Sequence, residues 1–472
     1  MRSKSTFAET FPTLRKIPAM FKGTWRIIRF IFSSAGKWLW RARKVLLGVI
    51  VIFSISYGAF NYYATFLLKR EYAKIHQQQE PLYFTQVINR PVPDSENAAL
   101  LYIQAEQALK LPKDDILLTA KSQKQASAIV HDNQKSMQLV EHASRLSQCS
   151  FPLKWNGDPA DSLNPNMTKM RTLARFIRLN ALKNVRENNY RKAFQQIGFI
   201  NLLAERTANG DTLISFLVAR AINGIAVRTT DTILQNAKLT KEQALEYSNL
   251  LHPIDWHRLF YENMCGERAF GVSSYVYYLS DIWNRRATEE DKWDIDDEDE
   301  SSDFKQKGFL TRPFLKMDEV QSLRLWTKVL SEAKKPGAVG TDYEDQIQNR
   351  LKQLPFYASG AKRSHEVFAN SFRNRDRAEV DQCEQEIAFA LNAYKTENGK
   401  YPETLIKAER FWGKKFPLDP YDNQSFHYRS ANNDYVLYSV GPNRIDDGGI
   451  KQPKDKWQFD KMTDFIWGDH PN

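Results

Sequence analysis

The apolar positions along this chain change their period twice. From Val45 to Leu68 they run almost unbroken as VLLGVIVIFSISYGAFNYYATFLL, 24 residues without a formal charge, and Lys69 and Arg70 close the run. A helix rising about 1.5 Å per residue carries that stretch over about 36 Å, enough to cross a hydrocarbon core of about 30 Å with some tilt. Trp38 and Trp40 at one edge, and Tyr57, Tyr62 and Tyr63 toward the other, stand where interfacial aromatics are expected. Two other readings compete: a cleaved signal peptide and a buried core helix. The first needs a shorter basic head than these 44 residues, and Ser56–Ala59 is a weak cleavage site.

Past the apolar run the period becomes three and four. Glu71 to Gln79 continues the helix as a polar stalk, and Pro81, Pro91 and Pro93 predict an extended linker to Asn97. Asp94 or Ser95 then caps a helix built on Ala98, Leu101, Tyr102, Ala105, Ala108 and Leu109. Another helix is predicted within 120–147, followed by a loop over 150–166. The block from Met167 to Leu251 is the most strongly periodic. Leu173, Phe176, Ile177, Ala181 and Leu182 make one apolar face and, after the turn RENNY, Ala193, Phe194, Ile197, Phe199 and Ile200 make the next, which predicts a helical hairpin. The piece NNYRKAFQQI resembles the second helix of a tetratricopeptide unit, with Ala193 as the small residue at the close approach, but no second copy follows at that period. Asp211 is placed to cap a helix over 212–235, and Thr240 with Gln243 forms a capping box for LTKEQALEYSNLL. A last helical stretch reaches about Leu354, and Lys362 to Arg377 reads as a polar, basic connection.

In the tail the period changes again. The string RAEVDQCEQEIAFALNAYKTENGKYPETL is an amphipathic helix stopped by Asn398 and Gly399, and SFHYRS and YVLYSV alternate as strands between turn residues. They predict an antiparallel hairpin on the helix, with Ile387, Leu391 and Tyr394 facing Phe426, Tyr428, Val436 and Tyr438. The expected fold is therefore mainly α: a basic head (1–44), a transmembrane helix (45–68), a stalk and extended linker (69–97), an extracytoplasmic α-helical domain of helical hairpins (98–360), and a C-terminal α+β module with a small antiparallel sheet (376–472).

Charge fixes the orientation expected of this arrangement. The chain carries a net +11, and residues 1–44 hold eleven Lys or Arg against Glu9 alone, so the other 428 residues are close to neutral. A basic head directly before an apolar span is the positive-inside pattern, which keeps the N-terminus in the cytoplasm and leaves no basic face for nucleic acid. Within the head, Phe21 to Phe32 interleaves Lys22, Arg26 and Arg29 with Trp25 and Ile28, as a segment lying along the inner leaflet would. The opposite charge gathers at 289–303, where ten of fifteen residues are acidic without apolar periodicity. That is the pattern of a solvated loop. A calcium loop is the sharper alternative, but Asp299 stands where such a loop needs Gly. Cys149, Cys265 and Cys383 are far apart and follow no metal-ligand spacing, which predicts three separate thiols.

The tail also resembles a known family. ALNAYKTENGKYPETL, FPLDPYDNQSFHYRS, DYVLYSVGPNRIDDGG and TDFIWGD follow one another as in the globular part of the major pseudopilins of type II secretion, over about 95 residues. A similar tail closes large bacterial single-pass membrane proteins after a helical region. The resemblance implies the inner membrane of a bacterium and partners among envelope or secretion-system proteins. It also implies a structural Ca²⁺ held by Asn443, Asp446, Asp447 and Asp464, whose oxygens are the hard ligands that ion takes. The competing reading of PNRIDDGG is a polar turn. Pseudopilins carry a processing site and an apolar helix directly before this module. Here a polar helix precedes it instead, so assembly into a fibre is not expected.

No string for a nucleophile elbow, a zinc protease, a phosphate-cradling loop or a dinucleotide fold occurs. Two segments still hold chemistry-bearing residues. HPIDWH combines His252, Asp255 and His257, and YENMCGERAFG combines Glu262, Cys265, Glu267 and Arg268. Capping and core roles are the plainer reading of the first, and ion pairs between helices that of the second. The missing strings weigh against an enzyme but leave the question open. The function expected is that of a membrane-anchored envelope protein acting through protein interaction or in a secretion-related assembly. The alternatives are an envelope hydrolase with its site between Asp255 and Arg268, and a calcium-stabilised structural protein of the cell surface.

Overall fold

A computed structural model describes residues 19–88, 92–111, 123–153, 155, 166–209, 212–284, 309–339, 341–366, 368–431, 434–450 and 464–468. The acidic stretch 289–303, with the calcium-loop alternative at Asp299, lies outside them, as do the cap expected at Asp211 and most of the loop at 150–166. The chain divides into two compact units, Met1–Phe66 and Leu67–Asn472.

The first unit is built on helix α1 (Ala19–Gln77), which contains the whole apolar run. Nearly every large apolar side chain from Val45 to Ile55 is exposed, the state of a helix whose apolar surface meets no protein. The helix is long and apolar enough to cross a membrane. The stretch Leu213–Leu234 passes the same test of length and composition, but 67% of it is buried inside the second unit, where it is a core helix.

The last turns of α1 belong to the second unit; the helix continues to Gln77 as expected, and its polar stalk packs along one face. Leu67, Leu68, Glu71 and Ile75 are buried along one face. Tyr72 donates its hydroxyl to Glu319, and Glu71 pairs with Lys74 at 2.6 Å and Arg324 at 3.3 Å. Just past the helix, Glu80 accepts from the Tyr261 hydroxyl, from Arg268 at 2.6 Å and from Lys334 at 3.0 Å. Burial pushes the Glu80 carboxyl up, but these three donors outweigh it and hold the group below the usual carboxylate range. The nearest of those partners in sequence is 181 residues away, so local reading sees the acids and not what neutralises them.

The linker is folded as well. A short helix α2 (Phe84–Ile88) buries Phe84 between Trp155 and Phe270, with ring centroids 5.1 and 5.3 Å away. Asn97, rather than Asp94 or Ser95, caps α3 (Ala98–Gln107) by accepting from the Ala99 N–H at 3.1 Å. The helix expected within 120–147 is two, α4 (Gln123–Asp132) and α5 (Gln134–Arg145). They are broken at Asn133, whose side chain accepts from the Lys110 N–H at 2.6 Å and donates to the Ile129 carbonyl at 2.8 Å.

Four helices then realise the predicted block: α6 (Asn166–Arg186), α7 (Tyr190–Ala208), α8 (Leu213–Leu234) and α9 (Lys241–Asn249). The capping box at Thr240 and Gln243 forms, and Thr212 caps α8. Helix α7 packs between α6 and α8. A close approach lies at Gly198. A Cβ there would lie 2.0 Å from the Leu250 carbonyl oxygen, so only glycine lets the turn after α9 close onto α7. Helices α10 (Trp256–Asn284) and α11 (Arg312–Ala333) pack against each other. Next come α12 (Thr341–Lys352) and α13 (Ser359–Glu366), whose first N–H groups, Gly360 and Ala361, donate to the Asp318 carboxylate at 2.9 Å each.

The basic connection expected over 362–377 is also helical. It contributes most of α13 and the start of α14 (Phe368–Asn398). Arg375 is fully buried and Arg377 nearly so, which is tolerable because Arg375 pairs with Asp376 at 2.6 Å and Arg377 with Asp381 at 2.8 Å. Helix α14 packs on α8, α9 and α10, and α15 (Leu405–Trp412) lies against it. The tail closes with β1 (His427–Ala431), β2 (Asp434–Ser439) and β3 (Phe465–Ile466), an antiparallel sheet in that order with Tyr428 opposite Leu437. Phe426 and Tyr428 pack on the core as expected, but on β2 the inner face is one residue out, at Leu437 rather than Val436 and Tyr438. Phe426, Leu437 and Val440 join the core that holds Ile387 and Leu391, while Tyr438 stacks on His427. Helical region and tail share that core.

Two outcomes follow. Gly198→Ala lowers the unfolding free energy by about 2–3 kcal/mol in a urea titration, because the clash is with backbone. Glu319 is pushed up to about 8 from its ordinary 4.5, first by burial and then by the Asp318 charge. The folded protein then holds a proton that the unfolded chain releases between those values, so stability falls as pH rises through that window, by up to about 1.4 kcal/mol per pH unit. Glu319→Gln flattens that slope in a pH series of denaturation curves; an unchanged slope rules out this assignment.

Candidate functional site

The three chemistry-bearing residues of HPIDWH have separate partners. Asp255 accepts from the Arg258 N–H at 2.9 Å and caps α10. His257 meets Glu379 at 2.8 Å and ties α10 to α14. His252 turns to Glu205 of α7, with its Nε2 2.6 Å from Oε2. In YENMCGERAFG, Cys265 is buried, and burial together with the Glu80 charge pushes its thiol up to about 11, well away from the range of a nucleophilic thiolate. Arg268 makes the structural ion pair expected of it, with Glu80. Glu267 instead accepts from the Leu213 N–H at 2.9 Å, and burial pushes its carboxyl up. None of the three cysteines is in a disulfide.

The tail residues assigned to calcium all lie in the loop after β2 or at its return into β3. Asn443 donates to Asp447 at 3.0 Å. Asp446 accepts from the Gly448 N–H and the Tyr438 hydroxyl at 2.9 Å each and faces His427 at 3.3 Å. Asp464 accepts from the N–H groups of Asp447 at 3.2 Å and Gly449 at 2.7 Å. These hydrogen bonds stitch the loop to itself. Among the described residues no three His, Cys, Asp or Glu side chains are grouped to hold a metal ion.

These segments meet a cavity around His252. A space of about 530 Å³ is lined by Ser147 and Cys149 from the loop after α5, by Glu205 and Arg206 of α7, by His252, and by Arg258 and Glu262 of α10. The backbone places these groups. Gly198 lets the turn after α9 approach α7, and the Asn201 amide donates to the Leu251 carbonyl at 2.6 Å, pinning the residue before His252. His252 itself takes a φ of 54°, a left-handed conformation directly ahead of Pro253, where the backbone is already restricted.

Its electrostatics form a chain. Glu205 shares one oxygen with His252 and gives the other to Arg258 at 2.8 Å; Arg258 also holds Glu262 at 3.0 Å. The bond from His252, then the charges of His252 and Arg258, outweigh burial and keep the Glu205 carboxyl below its usual range. A carboxylate can only accept, so Nε2 carries the proton shared with it, and only in the neutral imidazole does Nδ1 hold a lone pair. A carboxylate-held imidazole beside hydroxyl and thiol side chains is a set that can move protons. Arg206 has a different job. It donates to the Ala143 carbonyl at 2.7 Å, to the Leu146 carbonyl and to the Tyr102 hydroxyl at 2.9 Å, which shapes the wall carrying Ser147 and Cys149. A second cavity of about 440 Å³ lies across the same turn, lined by Pro253, Asn201, Gln382, Gln385 and the Glu386–Lys414 ion pair.

Sequence reading found His252 but not Glu205, which sits in LLAERTANG with nothing local to distinguish it from any other acid on a helix. No protein-family description, no curated protein and no solved structure matches this chain.

Proposed function

We propose that the protein is a membrane-anchored envelope component whose outer unit acts by binding other proteins in a secretion-related assembly. The observation that carries this reading is the exposed apolar stretch of α1, continuous in sequence with a large unit of residues 67–472. In this reading the basic head stays in the cytoplasm and the outer unit lies beyond the inner membrane of a bacterium; the charge of residues 1–44 supports that orientation. The tail's likeness to pseudopilins supports the secretion link, and the polar α14 ahead of it argues against a fibre subunit. The structural employment of Cys265, Glu267, Arg268 and His257 supports binding rather than catalysis in the segment richest in reactive groups.

A second reading, an envelope hydrolase, is favoured by one arrangement: the Glu205–His252 pair opening on the cavity that Ser147 and Cys149 line. There His252 would act as general base, held by Glu205, toward a side-chain nucleophile or water.

Crosslinking in intact membranes, followed by purification on a C-terminal tag and mass spectrometry, is expected to enrich secretion or pilus components over an anchor-only control. A preparation with no partner above that control refutes the first reading. For the second, any ester or peptide hydrolysis found in the purified protein should fall at least about 100-fold in His252→Ala; equal rates in parent and variant exclude the site.

A further inference from the structure

We infer that the seam between helices α6 and α8 binds a phosphate-type oxyanion, gripped by Arg171 and Arg178 from one helix and by Arg220 and Arg228 from the other. The two helices pack against each other. On α6, Arg171, Arg175 and Arg178 fall four and three residues apart, which places them on one face. That helix carries six basic residues between Asn166 and Arg186 and not one acid. On α8, Arg220 and Arg228 stand about one turn to either side of Gly224. A Cβ at Gly224 would lie 3.3 Å from the Nη1 of Arg228 and 3.5 Å from that of Arg220, so the two guanidinium groups converge over bare backbone. The near-neutral balance of the outer unit therefore hides a local excess of positive charge.

Asp381 answers only part of that excess, because it is shared: it pairs with Arg220 and also with Arg377 at 2.8 Å. Burial, then the charges of Arg220, Arg178 and Arg171, hold the Arg228 guanidinium below its ordinary value in spite of Asp381. Burial lowers Arg178, and burial with the Arg171 charge lowers Arg175. Arg171, Arg175 and Arg178 make no hydrogen bond or ion pair among the described residues, although Arg175 and Arg178 are only partly exposed. Cations crowded together and half withdrawn from water are stabilised by an anion that offers several oxygens, and a planar guanidinium donates to such oxygens in pairs. Depth selects the size of the anion. The Arg220 side chain is 15% exposed, whereas Arg171 is open to solvent, so a compact phosphate group reaches both where the broad face of a macromolecule would not.

The test uses the full chain in detergent, with thermal melting and equilibrium titration as readouts. Inorganic phosphate is expected to raise the melting temperature saturably, beyond sodium chloride at the same ionic strength. Arg178→Gln and Arg171→Gln should each weaken binding about tenfold or more, the loss of one charge-assisted hydrogen bond. Lys192→Gln, at an exposed position of α7, should leave it unchanged. Melting without ligand separates this role from a structural one. A crowded cation without a partner can be removed at no cost, so both arginine variants should melt at or above the parent's temperature, and a fall in both overturns the inference. Glycerol 3-phosphate and short-chain phosphatidylglycerol distinguish the source of the group: a response to the two soluble phosphates identifies a free phosphate compound, and a response to the lipid alone identifies a headgroup. Equal melting in phosphate and chloride with no response to either ester overturns the inference, and so does unchanged affinity in both arginine variants.

Discussion

The outer unit depends on one helix that is both central and charged. Helix α14 lies in the core beside α8, α9 and α10, yet its sequence carries Arg373, Arg375, Asp376, Arg377, Glu379, Asp381 and Glu384 within four turns. Taking an ion out of water costs several kcal/mol unless a partner restores most of what is lost. The helix can therefore be buried only where its neighbours bring the complementary charge. Glu344 of α12 meets Arg373, Arg220 of α8 meets Asp381, and His257 of α10 meets Glu379. Where compensation is incomplete, burial makes the group hold its proton more tightly. Burial pushes Asp376 up to about 6 despite Arg375 beside it, and pushes Glu384 well above the usual carboxylate range.

This arrangement decides what could be read from the sequence. Where a helix buries an apolar face and exposes a polar one, as α6 and α7 do, spacing alone locates it, and Thr240 with Gln243 announces the start of α9. Where a helix buries charges, spacing misleads. Residues 71–79 read only as a polar stalk because Glu319 and Arg324 are supplied from remote parts of the chain, and 362–377 look like a linker although Arg377 pairs with Asp381 one turn on and Arg373 with Glu344 of α12. The sheet face fails for a different reason. Val436, Leu437 and Tyr438 are consecutive and all apolar, so alternation cannot say which of them points inward, and packing on α14 selects Leu437. The Glu205–His252 pair was half legible, because a histidine before a proline stands out and a glutamate in mid-helix does not.

That pair also shows how one helix can set up both halves of a site. Helix α7 supplies Glu205 directly. Through Gly198 and Asn201 it also pins the Leu250–Leu251 backbone from which His252 projects. The two groups are thus held by one rigid element across a single turn, which fixes their separation more tightly than two independent loops could. The strained φ of His252 is sustained by these contacts, with Pro253 removing one way for the turn to relax.

The same reasoning bears on how such a chain can vary between lineages. An α-helix turns by about 100° for each residue, so one inserted residue in α14 would swing everything beyond it to another face. An insertion just before Asp381 would leave Arg377 in place while carrying the aspartate away from both it and Arg220, and would lift Asn392 from the carbonyls of Leu234 and Ala237. Relatives of this protein should therefore differ in the lengths of their connecting loops while keeping the length of α14 constant.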